Sequence, residues 1–156
     1  MELSDILRSD AVIEKLAVTS KKQVLQEISR RASMICDLDE RTIFDTLLER
    51  ERLGTTGVGN GIAIPHGRLS GLDRPVGIFA RLTRAIDFDA VDDQPVDIVF
   101  ALLAPNDAGA DHLKALARVS RLFRNREMCE KLRGSDEADA LYGLLTEPTA
   151  TTSHAA

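Results

Sequence analysis

The chain has 156 residues, and 20 Lys and Arg residues against 25 Asp and Glu residues give a formal charge of −5 when the histidines are neutral. A chain of this length favours one domain with a sizeable core, and an apolar content of 44% excludes fibrous and wholly disordered classes. The negative charge argues against non-specific nucleic-acid binding, so we expect no nucleic-acid partner.

The N-terminal third of the chain predicts two helices. Residues 12–18 form either a strand or a short connecting element. A capping box followed by apolar residues at helical spacing predicts the first helix over residues 20–36. Asp39 is a helix-capping residue, and the apolar face that follows it predicts a second helix, which ends at Gly54.

The middle of the chain predicts a loop and three strands. Four glycines within residues 54–61 predict a loop, and the apolar run 62–64 predicts a short strand that ends at the segment 65–67. Residues 76–82 predict another strand. The apolar run within residues 97–104 predicts a central strand that is buried on both faces of the sheet.

The C-terminal third predicts three helices and a tail. The helices cover about residues 111–124, 126–133 and 136–146. Residues 148–156 lack apolar periodicity and predict a disordered tail, which leaves one domain over residues 1–147. Helices and strands interspersed over one short chain favour an α/β class, with a central mixed β-sheet flanked by α-helices.

The sequence also favours a cytoplasmic location. The first residues lack the basic and apolar regions of a secretory signal, and the longest unbroken apolar run, 98–104, is too short to span a bilayer. Cys36 and Cys129 form no CxxC pair, which favours reduced, packed thiols over a disulfide or a zinc site. We therefore expect neither secretion nor membrane insertion.

The glycine-rich loop does not match a nucleotide-binding motif. Gly54 and Gly59 have the separation of a P-loop, but Asn60-Gly61 stands where that motif requires Lys followed by Ser or Thr. The GxGxxG spacing also fails, and the chain contains neither HExxH nor GxSxG. We interpret the glycines as positions that need unusual dihedral angles or close backbone approach, and we predict no cofactor.

His66 is the strongest candidate for a reactive side chain. Pro65 fixes its own φ, Ile64 is held extended, and Gly67 places no side chain over the neighbouring backbone, so this segment can present an imidazole at a strand end. A neutral imidazole nitrogen is a good nucleophile near pH 7 when its other nitrogen is held as N–H. An unreactive loop histidine fits these residues equally well.

A histidine-centred metal site is a further alternative. His66, His112 and His154 have none of the short spacings of a local metal-binding motif. A metal hydrolase would have to assemble His66, His112 and a distant carboxylate from separate segments of the chain. We favour a site without metal.

A longer segment around His66 resembles a known family. Residues 50–68 are similar to the phosphorylation-site segment of the enzyme IIA proteins of the phosphoenolpyruvate phosphotransferase system, in the mannitol/fructose class. Residues 59–67, Gly-Asn-Gly-Ile-Ala-Ile-Pro-His-Gly, look most like the nitrogen-regulatory branch. A second matching segment begins at His112, and the resemblance covers residues 1–147.

The resemblance implies the type 2 enzyme IIA fold and a set of residue roles. It implies that His66 accepts a phosphoryl group on Nε2, and that His112 and Arg50 stabilise this group. Arg68 and Arg52 are secondary candidates for the same stabilising role. The implied donor is an HPr-like histidine phosphocarrier of the NPr type. Such a transfer depends mainly on alignment and charge stabilisation, and it requires no metal.

A row of basic residues follows in the second matching segment. Lys114, Arg118 and Arg121 have helical spacing, so we expect them to share one exposed face, with Asp111 as the helix cap. The opposite face is expected to carry Leu113, Leu116, Ser120 and Phe123. Beside a phosphohistidine the basic face would bind an acidic partner, whereas elsewhere such a face is simply solvated.

The expected function combines phosphoryl transfer with regulation. Phosphorylation of His66 would add a charge of about −1.5 to −2 and change which proteins dock around it. The nitrogen-regulatory resemblance implies regulated partners such as potassium transport proteins or sensor kinases. An alternative is a sugar-specific enzyme IIA of the fructose or mannitol type, which passes its phosphoryl group to a IIB component.

Overall fold

Strand β6 (Val96–Pro105) is the centre of a mixed six-stranded sheet in the computed structural model, which describes residues 1–147. All of its residues are buried except Asp97, which is partly exposed. It pairs antiparallel with β5 (Val76–Ile86), and along its other side it pairs parallel with β3 (Ile62–Ala63) and β4 (His66–Leu69). The predicted central strand, buried on both faces, is confirmed.

The outer strands complete the sheet. Strand β1 (Val12–Leu16) pairs parallel with β5, so the ambiguous N-terminal segment is a strand. Strand β2 (Gly57–Gly59) pairs antiparallel with β3 at the opposite edge. The predicted loop over 54–61 is therefore wrong for these three residues. A Cβ on Gly57 would lie 2.9 Å from Cα of Ala90, so the glycine is needed for close backbone approach.

Five α-helices lie around the sheet within the described chain, and two short 3-10 helices, Leu3–Asp5 and Ser9–Ala11, precede β1. The α-helices are α1 (Lys21–Cys36), α2 (Glu40–Leu53), α3 (Ala110–Arg124), α4 (Arg126–Arg133) and α5 (Ala138–Leu145). Ser20 and Asp39 cap α1 and α2 as predicted, by accepting hydrogen bonds from the backbone N–H groups of Gln23 and Thr42. The predicted Asp111 cap of α3 is wrong, because α3 begins at Ala110 and its N-cap is Gly109.

The α/β class with a central mixed sheet is thus confirmed. No helix among residues 1–147 is both long enough and apolar enough to cross a bilayer. The predicted disordered tail, 148–156, lies outside the described residues.

Candidate functional site

His66 is the first residue of β4, directly after the two residues, Ile64 and Pro65, that separate β4 from β3. The Pro65 carbonyl accepts a hydrogen bond of 2.8 Å from the backbone N–H of Leu102 on β6, which fixes the backbone just before the histidine. His66 itself lies opposite Leu102 in the parallel ladder. Strand β3 ends before residues 65–67, as predicted, but His66 then begins another strand, β4.

Gly67 lets helix α2 pack directly on β4. A Cβ at this position would lie 2.7 Å from Cγ2 of Thr46, which is closer than two carbon atoms that are not bonded to each other can approach. Because the glycine has no side chain, the last turns of α2 come to lie beside the histidine. This packing brings Arg50 and Leu53 into the lining of the same cleft as His66.

The backbone determines which nitrogen of His66 is free to react. Nδ1 of His66 lies 2.9 Å from the carbonyl oxygen of Ile64. Since a carbonyl can only accept a hydrogen bond, Nδ1 of the neutral ring carries the proton and Nε2 carries the lone pair. Burial lowers the pKa of His66 from its ordinary value; the Ile64 carbonyl opposes this shift and the Arg50 charge adds to it. The lowered pKa therefore favours the neutral ring, with its lone pair on Nε2.

His112 lies in the first turn of α3, next to His66. The two ring centroids are 5.8 Å apart and the ring planes are inclined by 47°. Only 6% of His112 is exposed, and its Nδ1 is buried with no hydrogen-bond partner in the part of the chain that the structure describes. Burial lowers the pKa of His112, and the charges of Arg68 and His66 lower it further.

Two arginines complete a cleft of about 420 Å³ around the histidines. Arg50 lies in the last turn of α2, and its Nη1 donates a hydrogen bond of 2.9 Å to the Gly54 carbonyl. Arg68 is exposed on β4, and its Nη1 lies 3.5 Å from the Asn106 carbonyl oxygen. The cleft is lined by Thr46, Glu49, Arg50, Leu53, His66, Gly67, Arg68 and His112. Arg52, one of the two secondary candidates, is exposed and is not part of this lining.

A buried carboxylate that was not predicted supports the site. Glu51 accepts hydrogen bonds from Nζ of Lys21 at 3.0 Å and from the backbone N–H and Oγ1 of Thr56 at 2.9 and 2.6 Å. These contacts tie the last turn of α2, which carries Arg50, to α1 and to the segment before β2. Glu51 follows Leu47 by four residues on the buried face, and this spacing was the available signal.

The predicted basic face of α3 is only partly formed. Lys114 and Arg121 are exposed, but Arg118 is 9% exposed. Its Nε lies 3.3 Å from the Met1 carbonyl oxygen and its Nη2 lies 3.2 Å from the Glu2 carboxylate. The prediction that Arg118 shares the exposed face is therefore wrong, because the N-terminal segment covers this part of the helix.

The buried face of α3 is also displaced from the predicted one. It runs through His112, Ala115, Arg118, Val119 and Phe123. Leu113, which was expected on the buried face, is instead 65% exposed. His112 thus occupies the position at which the helix enters the core, and Leu113 is presented to solvent beside it.

The described residues do not form a metal centre. Within residues 1–147, no three side chains of the His, Cys, Asp or Glu types are grouped closely enough to hold a metal ion. The pair formed by His66 and His112 has no third ligand there, and the metal-hydrolase alternative loses its support.

Comparison with known proteins gives consistent matches. The family model for the phosphoenolpyruvate-dependent sugar phosphotransferase system, EIIA 2, matches residues 5–147. The chain is 52% identical to a nitrogen regulatory protein of Bradyrhizobium diazoefficiens, over 97% of this chain and 99% of that relative. It is 39% identical to a nitrogen regulatory protein of Escherichia coli, over 97% of this chain and 93% of the relative.

A solved structure agrees with these matches. The crystal structure of nitrogen regulatory protein IIA-Ntr from Neisseria meningitidis superposes with a TM-score of 0.87 at 33% sequence identity, and the match covers 92% of this chain and 99% of that one. The type 2 enzyme IIA fold is confirmed by this superposition together with the family model. The chain therefore belongs to the EIIA 2 family of the phosphoenolpyruvate-dependent sugar phosphotransferase system, in its nitrogen-regulatory branch.

Proposed function

We propose that His66 accepts a phosphoryl group on Nε2 from an HPr-like histidine phosphocarrier of the NPr type. The observation that carries this proposal is the hydrogen bond from Nδ1 of His66 to the Ile64 carbonyl, which leaves Nε2 as the nucleophile. The Nε2 lone pair attacks phosphorus, the bond between phosphorus and the donor's histidine breaks, and its electron pair returns to the donor ring. Nδ1 keeps its proton, and the Ile64 carbonyl stabilises the positive charge that the ring acquires.

His112 is suited to donate a hydrogen bond to the phosphoryl group. Its buried Nδ1 has no acceptor among residues 1–147, so an N–H there would be left unpaired, and buried unpaired N–H groups are rarer than unpaired acceptors. The tautomer with its proton on Nε2 avoids this unpaired donor. With the rings 5.8 Å apart, we propose that this Nε2–H serves the oxygens of the group on His66.

Two cations supply the remaining charge stabilisation in this proposal. Arg50 has a planar guanidinium fork suited to phosphoryl oxygens. Within residues 1–147 its side chain makes one hydrogen bond, to the Gly54 carbonyl, so its other N–H groups can bind the phosphoryl group. Arg68 approaches from β4 and already lowers the pKa of His112. Arg52 lies outside the cleft lining, so we assign it no part in the transfer.

The donor would dock on the surface that surrounds the cleft. Leu53 is 82% exposed at the end of α2 and Leu113 is 65% exposed at the start of α3, so apolar side chains flank the two histidines. Lys114 and Arg121 lie exposed on α3 and would attract acidic groups of a partner. Arg118 is buried and is not part of this proposed surface.

We further propose that the phosphorylation state of His66 selects regulated partners. Relatives named nitrogen regulatory protein match nearly the full chain, which favours a regulatory output. Potassium transport proteins and sensor kinases are the proposed targets, in the cytoplasm. The alternative, a sugar-specific enzyme IIA, predicts instead that the phosphoryl group passes rapidly to a fructose- or mannitol-type IIB component.

The transfer is tested with phosphoenolpyruvate, enzyme I and an HPr-like carrier. We expect acid-labile, alkali-stable phosphate on the wild-type protein and none on His66→Ala. His154→Ala is the matched control and should be labelled normally. His112→Ala should be labelled at the same site but more slowly. A label that persists on His66→Ala would overturn the assignment of the phosphoacceptor.

The regulatory role needs a separate experiment. Pull-downs with unmodified and phosphorylated protein should recover different partner sets. Identical sets, together with rapid transfer from His66 to a purified IIB component, would favour the sugar-specific alternative.

A further inference from the structure

A second cavity, of about 660 Å³, lies between the β2–β3 edge of the sheet and the helices α3 and α4. It shares no lining residue with the cleft that contains His66. We propose that this cavity, which we name the edge groove, binds a small organic anion with an apolar body. Binding there does not depend on phosphoryl transfer, so the proposal stands apart from the function proposed above.

The floor of the edge groove is apolar. Ile62 and Ile64 contribute from the β3 segment, Phe123 from α3 and Cys129 from α4, and each of the four is at most 7% exposed. Together these side chains give the cavity an apolar lining on this side. Contact with an apolar ligand would remove this surface from water, and the volume lies within the range of small-molecule sites.

The rim of the edge groove carries two arginines that are available to a ligand. Arg124 and Arg126 flank the junction between α3 and α4, both are exposed, and neither side chain makes a hydrogen bond or an ion pair within residues 1–147. Arg133 differs from them, since it binds both carboxylate oxygens of Asp97 at 3.0 Å and donates to the Asn60 carbonyl at 2.8 Å.

The charge at the rim determines the sign of the ligand. Glu130 is the one acidic residue of the lining, and Asp97 neutralises Arg133, so the two unpaired arginines leave an excess of positive charge. This excess occurs on a chain whose formal charge is −5. One guanidinium group can bind two oxygens of a carboxylate or phosphate group at once. A ligand with an anionic head group at the rim and an apolar body on the floor therefore matches the groove.

The head-group preference is tested with two fluorescent probes. 8-Anilinonaphthalene-1-sulfonate has an aromatic body and a negative charge, and N-phenyl-1-naphthylamine has the same rings without the charge. We expect the sulfonate to bind about tenfold more tightly than the amine, which corresponds to one charge-assisted hydrogen bond. Arg124→Gln/Arg126→Gln should abolish the difference. The matched control, Lys114→Gln/Arg121→Gln, removes the same charge from α3 outside the groove and should leave it unchanged.

The location is tested by filling the groove. Ser120 lines it from α3, so Ser120→Trp should weaken both probes about tenfold, with Ser120→Leu in its place if the larger residue prevents folding. 1-Naphthyl phosphate and 1-naphthoate then compete with the sulfonate, and the stronger competitor identifies the head group. Equal affinity for the two probes, loss of binding in the control variant, unchanged binding in the filled variant, or no competition by either naphthyl anion would each overturn the proposal.

Discussion

Nδ1 of His66 lies 2.9 Å from the carbonyl oxygen of Ile64, a residue only two positions earlier in the chain. The side chain of Ile64 is buried and contributes to the floor of the edge groove, while its carbonyl orients the imidazole. The segment between β3 and β4 therefore fixes the tautomer of the ring through its backbone, before any partner binds. The tautomer and the pKa of His66 can therefore be measured in the protein without a partner.

We expect His66 to stay neutral, with its proton on Nδ1, below the pH at which an exposed histidine becomes charged. Burial lowers its pKa from the ordinary 6.5, and this effect outweighs the stabilisation of the charged ring by the Ile64 carbonyl. Long-range nitrogen–proton spectra recorded from about pH 5 to 8 report both the tautomer and the pKa. A proton on Nε2 at neutral pH, or a pKa above 6.5, would contradict this prediction.

His66 and His112, the two histidines of the cleft, should also make stability depend on pH. Their pKa values are lowered in the folded protein, so below about pH 6.5 the unfolded chain binds more protons than the folded one. The free energy of unfolding should therefore fall as the pH drops from about 7.5 towards 5. Urea unfolding of His66→Gln/His112→Gln should give a shallower fall over the same range, and parallel curves would show that these rings do not contribute.

Gly67→Ala should destabilise the protein by about 1–3 kcal/mol, because the new Cβ would overlap Cγ2 of Thr46. Thr46→Ser removes that methyl group and keeps the hydroxyl that donates to the Thr42 carbonyl. The double variant should therefore recover most of the lost stability in urea unfolding, with Thr46→Ser alone as its control. If the double variant is no more stable than Gly67→Ala, the contact between α2 and β4 is not the cause.

The elements that sequence predicted well are those with local signals. Ser20 and Asp39 cap α1 and α2 through residues only three positions away, so both helix starts can be recognised in a short window. Strand β4 has no such signal. Its residues His66–Leu69 include a glycine and an arginine, and they become a strand only because β6, more than thirty residues later, offers a parallel partner.

The candidate site also combines residues that the local sequence predicts with residues whose position depends on distant parts of the chain. His66 and Arg50 lie in one continuous motif, and the structure places both in the cleft lining. Arg118 could not be placed correctly, because what buries it is the contact with Met1 and Glu2 at the other end of the chain. Helical periodicity alone predicts an orientation of α3 that differs from the observed one by about one residue, so it places Leu113 on the wrong face.

Arg118→Gln should lower stability without altering partner binding at the cleft. The side chain holds the N-terminal segment through the Met1 carbonyl and the half-exposed Glu2 carboxylate, so we expect a loss of about 1 kcal/mol in urea unfolding. Lys114→Gln and Arg121→Gln alter exposed positions and should change stability by less than about 0.5 kcal/mol. The opposite pattern, with the exposed residues dominating stability, would refute the structural role of Arg118.

Glu51→Gln should be the most destabilising polar substitution near the site. The buried carboxylate accepts one hydrogen bond from Lys21 and two from Thr56, and these reach both of its oxygens. An amide carries no charge to pair with the ammonium, and its NH2 group cannot accept a hydrogen bond in place of the second oxygen. Lys21 keeps Asp89 as a second partner at 3.2 Å, so we expect a loss of about 2–3 kcal/mol and not the full cost of an unpaired buried charge. Glu49→Gln, on an exposed position of the same helix, is the control and should be nearly neutral.

Because Glu51 anchors the turn that carries Arg50, phosphoryl transfer to His66 should also slow in Glu51→Gln at a temperature where the variant is fully folded. Normal stability of that variant in urea would mean that these hydrogen bonds do not hold the end of α2 in place.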